Sequence, residues 1–458
     1  MLMTKEQEHL AQIFSKALDQ VDPYKIITNR LTLSNEVLTV TMDEGNISVN
    51  LKDFERILVI GAGKATAKMA RAIEDILGDR IESGIISVKY GHTENLKYIK
   101  TIEAAHPVPD ENGVKAAHMI ESLACSATDK TLVINLISGG GSALLPSPMN
   151  AEVEGEKITV TLEDKQNVTK ALLACGADIS EINCIRKHLS NLKGGRLLRC
   201  LRPARSLNFI LSDVVGDNLD TIASGMTSFD HSTYCDAISI IDHYKLRGKI
   251  PPNALKALEL GNHGKLIETL KKDEFNAERA ENILIGTNRI ALLGARDKAI
   301  ELGYNVQILT SRLDGEAANA ADMFWAIAQD ERQWELLEKK PACIIAGGET
   351  VVTIKGNGKG GRNQEMALSF LMRLGQDKLE GKDIHFLAAS TDGNDGPTDA
   401  AGGFADGAIL NKSRQMGLSI ADYLKDNDSY HFLDKVGALH KTGPTNTNVC
   451  DVQILIVK

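Results

Sequence analysis

The chain lacks most of the features that would place it at once. It has no C-x-x-C pair, and its seven cysteines stand scattered at 125, 175, 184, 200, 235, 343 and 450. An odd, dispersed set argues against a disulfide framework or a zinc site and fits a reducing compartment. No apolar run approaches the length of a membrane span. The N-terminal stretch MLMTKEQEHLAQIFSKAL is charged and helical in pattern, without an apolar signal core. The expected location is therefore cytoplasmic, with no membrane partner. No Lys/Arg-rich run stands out and the formal net charge is −9, so a nucleic-acid partner is not expected. Short-period repeats and low-complexity segments are absent. No G-x-x-x-x-G-K-[ST] loop occurs, so any phosphoryl transfer here is not of the P-loop kind.

What remains is an ordinary globular composition, 43% hydrophobic and 25% charged over 458 residues, too long for one core. The patterning predicts a helix over about Thr4–Gln20 and a small strand pair in EVLTVTM and NISVNL. Short apolar strands then alternate with helices: RILVIGAG, GIISVKYG, TIEAAHPVP, TLVINLISGGGS and SLNFILSDVVGD. That alternation predicts an α/β fold with mostly parallel sheets and helices on both faces. From Asn282 the pattern restarts with NILIGTN, NVQILT, ACIIAGGETVVTI, IHFLAAST and VQILIV. We therefore expect two α/β domains, 1–281 and 282–458, with 232–281 as a helical connecting region.

Glycine-rich loops follow several strands, where open α/β sheets bind ligands. LISGGGSALL places Gly139, Gly140 and Gly141 between Ser138 and Ser142. Successive bare N–H groups near a helix start can hold an anion, while the plainer reading is a tight turn with close packing. GAGKAT offers Gly61 and Gly63 but has Thr66 at the third glycine of a dinucleotide fingerprint. The following strand ends SVKYG, with no acid for a ribose hydroxyl. Lys64, between the glycines and a helix, opposes the helix dipole, which suggests a functional role. Arg362 in GNGKGGRNQE stands likewise at a glycine loop running into a helix, next to Asn363, and its fork suits a phosphate or carboxylate. STDGNDGPTD gathers Asp392, Asp395 and Asp399, and LSDVVGD supplies Asp213 and Asp217. Carboxylates of this kind suit Mg²⁺ beside phosphate, or else the Asx turns of a surface loop. Glu349 in GGET poses the same choice. His106 and His188 could serve as acid–base groups, but each reads first as structural. Arg186, Lys187, Lys193 and Arg196 read by default as a solvated helical face, with one or two of them able to face a ligand cleft.

These stretches together resemble the glycerate 2-kinases with a C-terminal MOFRL domain. VIGAGKATAKMA, HPVPDENG, LISGGGSALLPSP, INCIRKHLSNLKGGRL, LSDVVGDNLDTIASG, GGETVVTIKGNGKGGRNQEMAL and STDGNDGPTDAAGG occur in the family's order and span nearly the whole chain. The resemblance implies a Rossmann-like N-terminal domain, a MOFRL α/β domain and an active site in an interdomain cleft. It also implies phosphorylation of D-glycerate to 2-phospho-D-glycerate with ATP and Mg²⁺. Lys64 and Arg362 match the family's activity-linked lysine and arginine. Gly61, Gly63, Ser138–Ser142 and Asn363 become candidates for holding substrate or phosphate, and Asp213, Asp392 and Asp395 for holding metal. The alternatives are an NAD(P)-dependent hydroxypyruvate reductase and a non-catalytic nucleotide or sugar-acid binding protein. Oligomeric state stays open, a homodimer included.

Overall fold

Runs such as Arg56–Ala62 and Thr131–Ile137 are apolar on both faces, and each becomes a strand buried almost end to end. Such strands require cover on both sides, which the intervening helices supply. The computed structural model describes residues 3–377 and 381–458. Contacts within it divide the chain into two compact units. One comprises Pro23–Ser212 and Asp217–Ile285, the other Met1–Asp22, Asp213–Gly216 and Gly286–Lys458.

The first unit is built on a six-stranded sheet. Its spatial order is Ala280–Gly286, Arg205–Leu211, Thr131–Ile137, Arg56–Ala62, Ser83–Lys89 and Ile99–Ala104. Numbered along the chain and read from the far edge, that order is 3-2-1-4-5-6, the doubly wound arrangement. The central pairings are parallel. Winding reverses between Arg56–Ala62 and Thr131–Ile137, so the loops after these two strands emerge side by side. A three-stranded antiparallel sheet, Leu31–Ser34, Val37–Thr41 and Asn46–Asn50, adds one strand to the expected pair.

Two expectations need correction in this unit. The sequence pattern places NILIGTN in the second domain, yet Ala280–Gly286 is the edge strand of the first sheet. The region 232–281 is not a mere connector. Its helices Tyr234–His243 and Pro252–Asn262 share a second apolar core with Leu162–Ala174, Ile179–His188 and the hairpin Asn150–Val153/Glu156–Thr159.

The second unit holds the other six-stranded sheet, in the order Asn305–Leu313, Ala342–Gly348, Asp451–Val457, Ile384–Ser390, Gly402–Asp406 and Leu439–His440. The α/β class holds, but this sheet is not mostly parallel. Only Asn305–Leu313 with Ala342–Gly348 runs parallel; the C-terminal strand enters between Ala342–Gly348 and Ile384–Ser390 antiparallel to both. The apolar pattern could not reveal this, because strands covered on both faces look alike whichever way they run.

The N-terminal helix Lys5–Gln20 belongs to this second unit, against the expected contiguous division at 281/282. A Thr4–Gln7 capping box starts it, and Leu10, Ile13, Phe14 and Ala17 are wholly buried. It packs on Asn288–Glu301. Phe14 meets the His440 ring edge-on at 5.2 Å between centroids, and Thr447 Oγ1 donates to Val21 O at 2.7 Å. Phe14→Ala should therefore destabilise the second unit by about 3–5 kcal/mol. Hydrogen exchange would check it: amides of Asp451–Val457 should exchange faster, with those of Thr131–Ile137 unchanged. The reverse pattern would return the helix to the first unit.

Candidate active site

At the reversal point of the first sheet, two glycine loops lie against each other. Gly61 pairs with Leu136 across the strands, and a Cβ on Gly61 would sit 2.2 Å from Leu136 O. Gly63, at φ +147°, would place a Cβ 2.0 Å from Ser138 Oγ. Gly141 would meet Ala223 Cβ at 3.0 Å. Gly140 has φ +85°, where L side chains are strained, and its Cβ would lie 2.9 Å from the His106 ring and 3.4 Å from Lys64 Cγ. The bare backbone therefore serves close packing of the chain on itself. The Lys64 stem is brought alongside Gly140 by the same geometry.

Hydrogen bonds stitch the loops together. Ser138 N donates to Ala62 O at 3.1 Å and Lys64 N to Gly139 O at 2.8 Å. Ser138 is fully buried, its Oγ accepting from Ala65 N at 3.1 Å and lying 3.0 Å from Thr66 Oγ1. It thereby holds Ala65, the residue at which the helix Thr66–Leu77 begins. Ser142 pairs its hydroxyl with that of Ser224.

Beneath the Gly141–Leu144 turn lie buried cations. Lys193 is 1% exposed and donates from Nζ to Ser142 O at 2.7 Å and Leu145 O at 3.2 Å. Burial, with Arg186 nearby, pushes its pKa down to about 7. Lys165 Nζ donates to Pro146 O at 2.7 Å, and burial takes it well below the ordinary lysine range. Lys187 is buried against Asp230 at 3.0 Å, and Arg196 donates to Lys187 O and Ser190 O. His188 is fully buried, its Nδ1 contacting Cys184 O and its Nε2 Glu268 Oε1, both at 2.8 Å.

In the second unit Arg362 opens the helix Arg362–Leu374. Its fork is engaged by the protein. Nε lies 2.6 Å from Asp451 Oδ2, Nη2 2.9 Å from Asp451 Oδ1, and Nη1 2.7 Å from Glu349 Oε1. Burial opposes its charge, but Asp451 and Glu349 raise its pKa overall. Asp451 is fully buried, and burial raises its pKa against the pull of Arg362. Glu349 is likewise raised by burial, with Asp451 and Asp213 adding to the effect of nearby negative charge. Asp451 had no place in the sequence reading; its signal is a single acid opening the apolar strand DVQILIV.

The expected metal set does not assemble. Asp395 is 2% exposed, and its oxygens accept from Asn363 N at 3.1 Å and Gln364 N at 2.8 Å. The anion at this helix start is thus the protein's own carboxylate, which burial, then Asp451, raises to about 7. Gly361 admits it, since a Cβ there would lie 2.3 Å from Asp395 Cγ. Asn363, fully buried, also faces Asp395 through Nδ2 at 3.3 Å. Asp392 Oδ1 accepts from Ser390 Oγ and Asn394 N, both at 3.0 Å, as in an Asx turn. Asp213 belongs with this unit, where its carbonyl accepts from the Cys450 thiol at 3.2 Å. Among the described residues no three His, Cys, Asp or Glu side chains group as a metal site. All seven cysteines are free, and no described helix is long and apolar enough to cross a membrane. A pocket of about 460 Å³ opens beside Arg362, lined by Glu349, Asp395, Pro397 and the exposed Val351 and Ile354.

Residues 9–259 match the model of a domain of unknown function, DUF4147, and 342–451 that of the MOFRL family. A Pyrococcus horikoshii glycerate 2-kinase is 41% identical, covering 97% of this chain and 96% of its own. A Thermotoga maritima D-glycerate 2-kinase is 41% identical over 88% of this chain and 91% of its own. The crystal structure of a Thermotoga maritima glycerate kinase superposes with a TM-score of 0.83 at 38% identity, covering 98% of this chain and 99% of that one. An Agrobacterium vitis relative, 40% identical over 88% of this chain and 87% of its own, is named a putative hydroxypyruvate reductase.

Two outcomes follow from the charge geometry. Arg362→Met strands Asp451 as a buried unpaired acid and should cost about 3–5 kcal/mol. Adding Asp451→Asn should recover part of that loss, so denaturant titrations of the cycle should be clearly non-additive. Lys193 gives a pH signature. Its folded pKa lies below the unfolded one, so between about pH 7 and pH 10 the unfolded chain binds more protons and stability rises with pH. Lys165, also depressed by burial, adds a rise of the same sign, so Lys193→Met should make the rise shallower, and parallel stability profiles for the two proteins would contradict it.

Proposed function

The chain belongs to the glycerate 2-kinase family, and from that premise we propose that it transfers the terminal phosphate of ATP to the 2-hydroxyl of D-glycerate. The observation that carries this reading is Lys64 beside two interlocked glycine loops at the reversal point of a Rossmann-like sheet. Ligands of such sheets bind beyond the carboxyl ends of the strands at that point. Phosphoryl transfer asks the protein mainly for positioning and charge neutralisation. Lys64 supplies a cation on a rigid loop, where it neutralises charge developing on the transferring group. Gly61, Gly63 and Gly139–Gly141 bring backbone close to the ligand, in addition to their packing role.

Arg362 acts as an orienting group. Three of its hydrogen-bond donors are held by Asp451 and Glu349, which leaves two of a guanidinium's five for a phosphate or carboxylate. Its own charge is largely offset by those acids, so fixed direction is what it contributes. Mg²⁺ bound to donor phosphates takes one or two protein carboxylates and neutralises phosphate charge. Asp395 does not fit, because both oxygens cap a helix. Asp213 and Glu349 fit better: they lie within electrostatic reach of each other, and Glu349 spends one oxygen on Arg362. Asp392 faces the same region electrostatically through Asp451. The protein is read as a cytoplasmic enzyme of small-molecule substrates.

The hydroxypyruvate reductase reading has little in this chain to favour it. Thr66 replaces the fingerprint's third glycine, and its hydroxyl is packed at Ser138. Incubation with D-glycerate and either ATP–Mg²⁺ or NAD(P)⁺ tests both readings. The expected result is ADP with a phosphorus signal coupled to the C2 proton and no reduced nicotinamide. Reduced nicotinamide without ADP would overturn the kinase reading. Lys64→Ala should lower kcat on the order of 10²–10³-fold with the circular dichroism spectrum unchanged. A folded variant with near-normal kcat would remove Lys64 from the chemistry.

A further inference from the structure

Arg186 stands in the last turn of Ile179–His188, largely withdrawn from water. Every other cation in its neighbourhood has an acceptor. Lys193 holds Ser142 O and Leu145 O, Lys165 holds Pro146 O, Lys187 holds Asp230, and Arg196 holds three carbonyls and Tyr234. Arg186 makes no hydrogen bond or ion pair among the described residues. The charges within its electrostatic reach are Lys165 and Lys193, both cations. The acceptors of these lysines are neutral carbonyls. The helix C-terminus is a mild comfort to a cation, but it supplies no acceptor for five N–H groups.

A half-buried guanidinium amid like charges is costly unless an anion completes the arrangement. Lys193 ties Arg186's neighbourhood to the turn that follows the Gly139–Gly141 loop, being coupled to Arg186 and bonded to Ser142 O and Leu145 O. We propose that Arg186 is an anion-binding residue of the active site, its fork receiving two oxygens of a substrate carboxylate or phosphate. This rests on the glycine loop being the site of phosphoryl transfer. Two sources share that chemistry, the carboxylate of the three-carbon acceptor and a phosphate of the nucleotide donor. Lys165 and Lys193 are positioning residues in this account: they fix the carbonyls of 142–146 and add positive potential without touching the ligand.

The test is steady-state kinetics of Arg186→Gln and Arg186→Lys with D-glycerate and ATP varied separately. Arg186→Gln should raise one KM on the order of 10²-fold. Arg186→Lys should recover only part of this, because an ammonium restores charge without the fork. A rise confined to D-glycerate assigns the carboxylate, and one confined to ATP the phosphate. Both KM values within threefold of wild type, whatever happens to kcat, overturn the proposal. If Arg186→Gln does not fold, Arg186→Lys alone decides by the same threshold. If wild type forms no ADP, the kinase reading fails, and melting temperatures decide instead. Stabilisation of wild type but not the variant by D-glycerate or pyrophosphate keeps the anion site. Equal stabilisation of both proteins, or none of wild type, removes it.

Discussion

The approach of Gly61 to Leu136 governs the first unit. With a carbonyl oxygen 2.2 Å from where a Cβ would stand, no side chain is admitted there. The same exclusion recurs at Gly63 against Ser138. Because these contacts lie at the ends of neighbouring parallel strands, the two following loops cannot diverge. Lys64 N can then bond Gly139 O, and Ser138 Oγ can accept from Ala65 N, where the helix after Lys64 begins. Any larger residue at 61 or 63 would separate the loops and carry Lys64 away from Gly140. The position of the one cation assigned to the chemistry thus rests on two hydrogen atoms in place of side chains.

Each unit handles charge in its own way. Around Arg362 the acids outnumber the cation: Asp451 and Glu349 bind it, while Asp395 caps the helix it opens. Burying Asp451 is tolerable only because the guanidinium grips both of its oxygens. In the first unit, by contrast, Lys165 and Lys193 are buried with carbonyl partners alone. A lysine whose pKa falls to about 7 holds its proton weakly, so an anion nearby would raise both its charge and its grip on Ser142 O. Ligand charge and loop rigidity would then reinforce each other.

Much of this was legible from local pattern. The strands of the first sheet announce themselves as short apolar runs ending in glycine, and Lys64 and Arg362 as cations set against a helix dipole. The rest depends on contacts distant in sequence. Asp395 looks like a metal ligand until Gly361, thirty-odd residues earlier, lets it reach a helix start. Ser138 looks like an anion donor until Ala65 and Thr66 are placed beside it. Lys193 and Arg196 look solvated because composition carries no record of which face of a helix is covered. The N-terminal helix gave a correct period and a wrong address: amphipathicity shows that a face is buried, not against what.

The glycine loops carry the last step. A loop of bare N–H groups beside a helix suggests an anion site, and in GNGKGGRNQE an anion is indeed present, but it is Asp395. A protein carboxylate already bound to the helix start would have to be displaced by a phosphate carrying more charge, in a region where Asp451 and Glu349 repel it. Beneath SGGGS, by contrast, the buried groups are the lysines Lys165 and Lys193. Electrostatics therefore separates two loops that composition makes look alike, and it favours the first-unit loops as the ones that receive an external anion. Arg362 then serves best by direction, its remaining donors pointing out of a carboxylate frame that cannot turn.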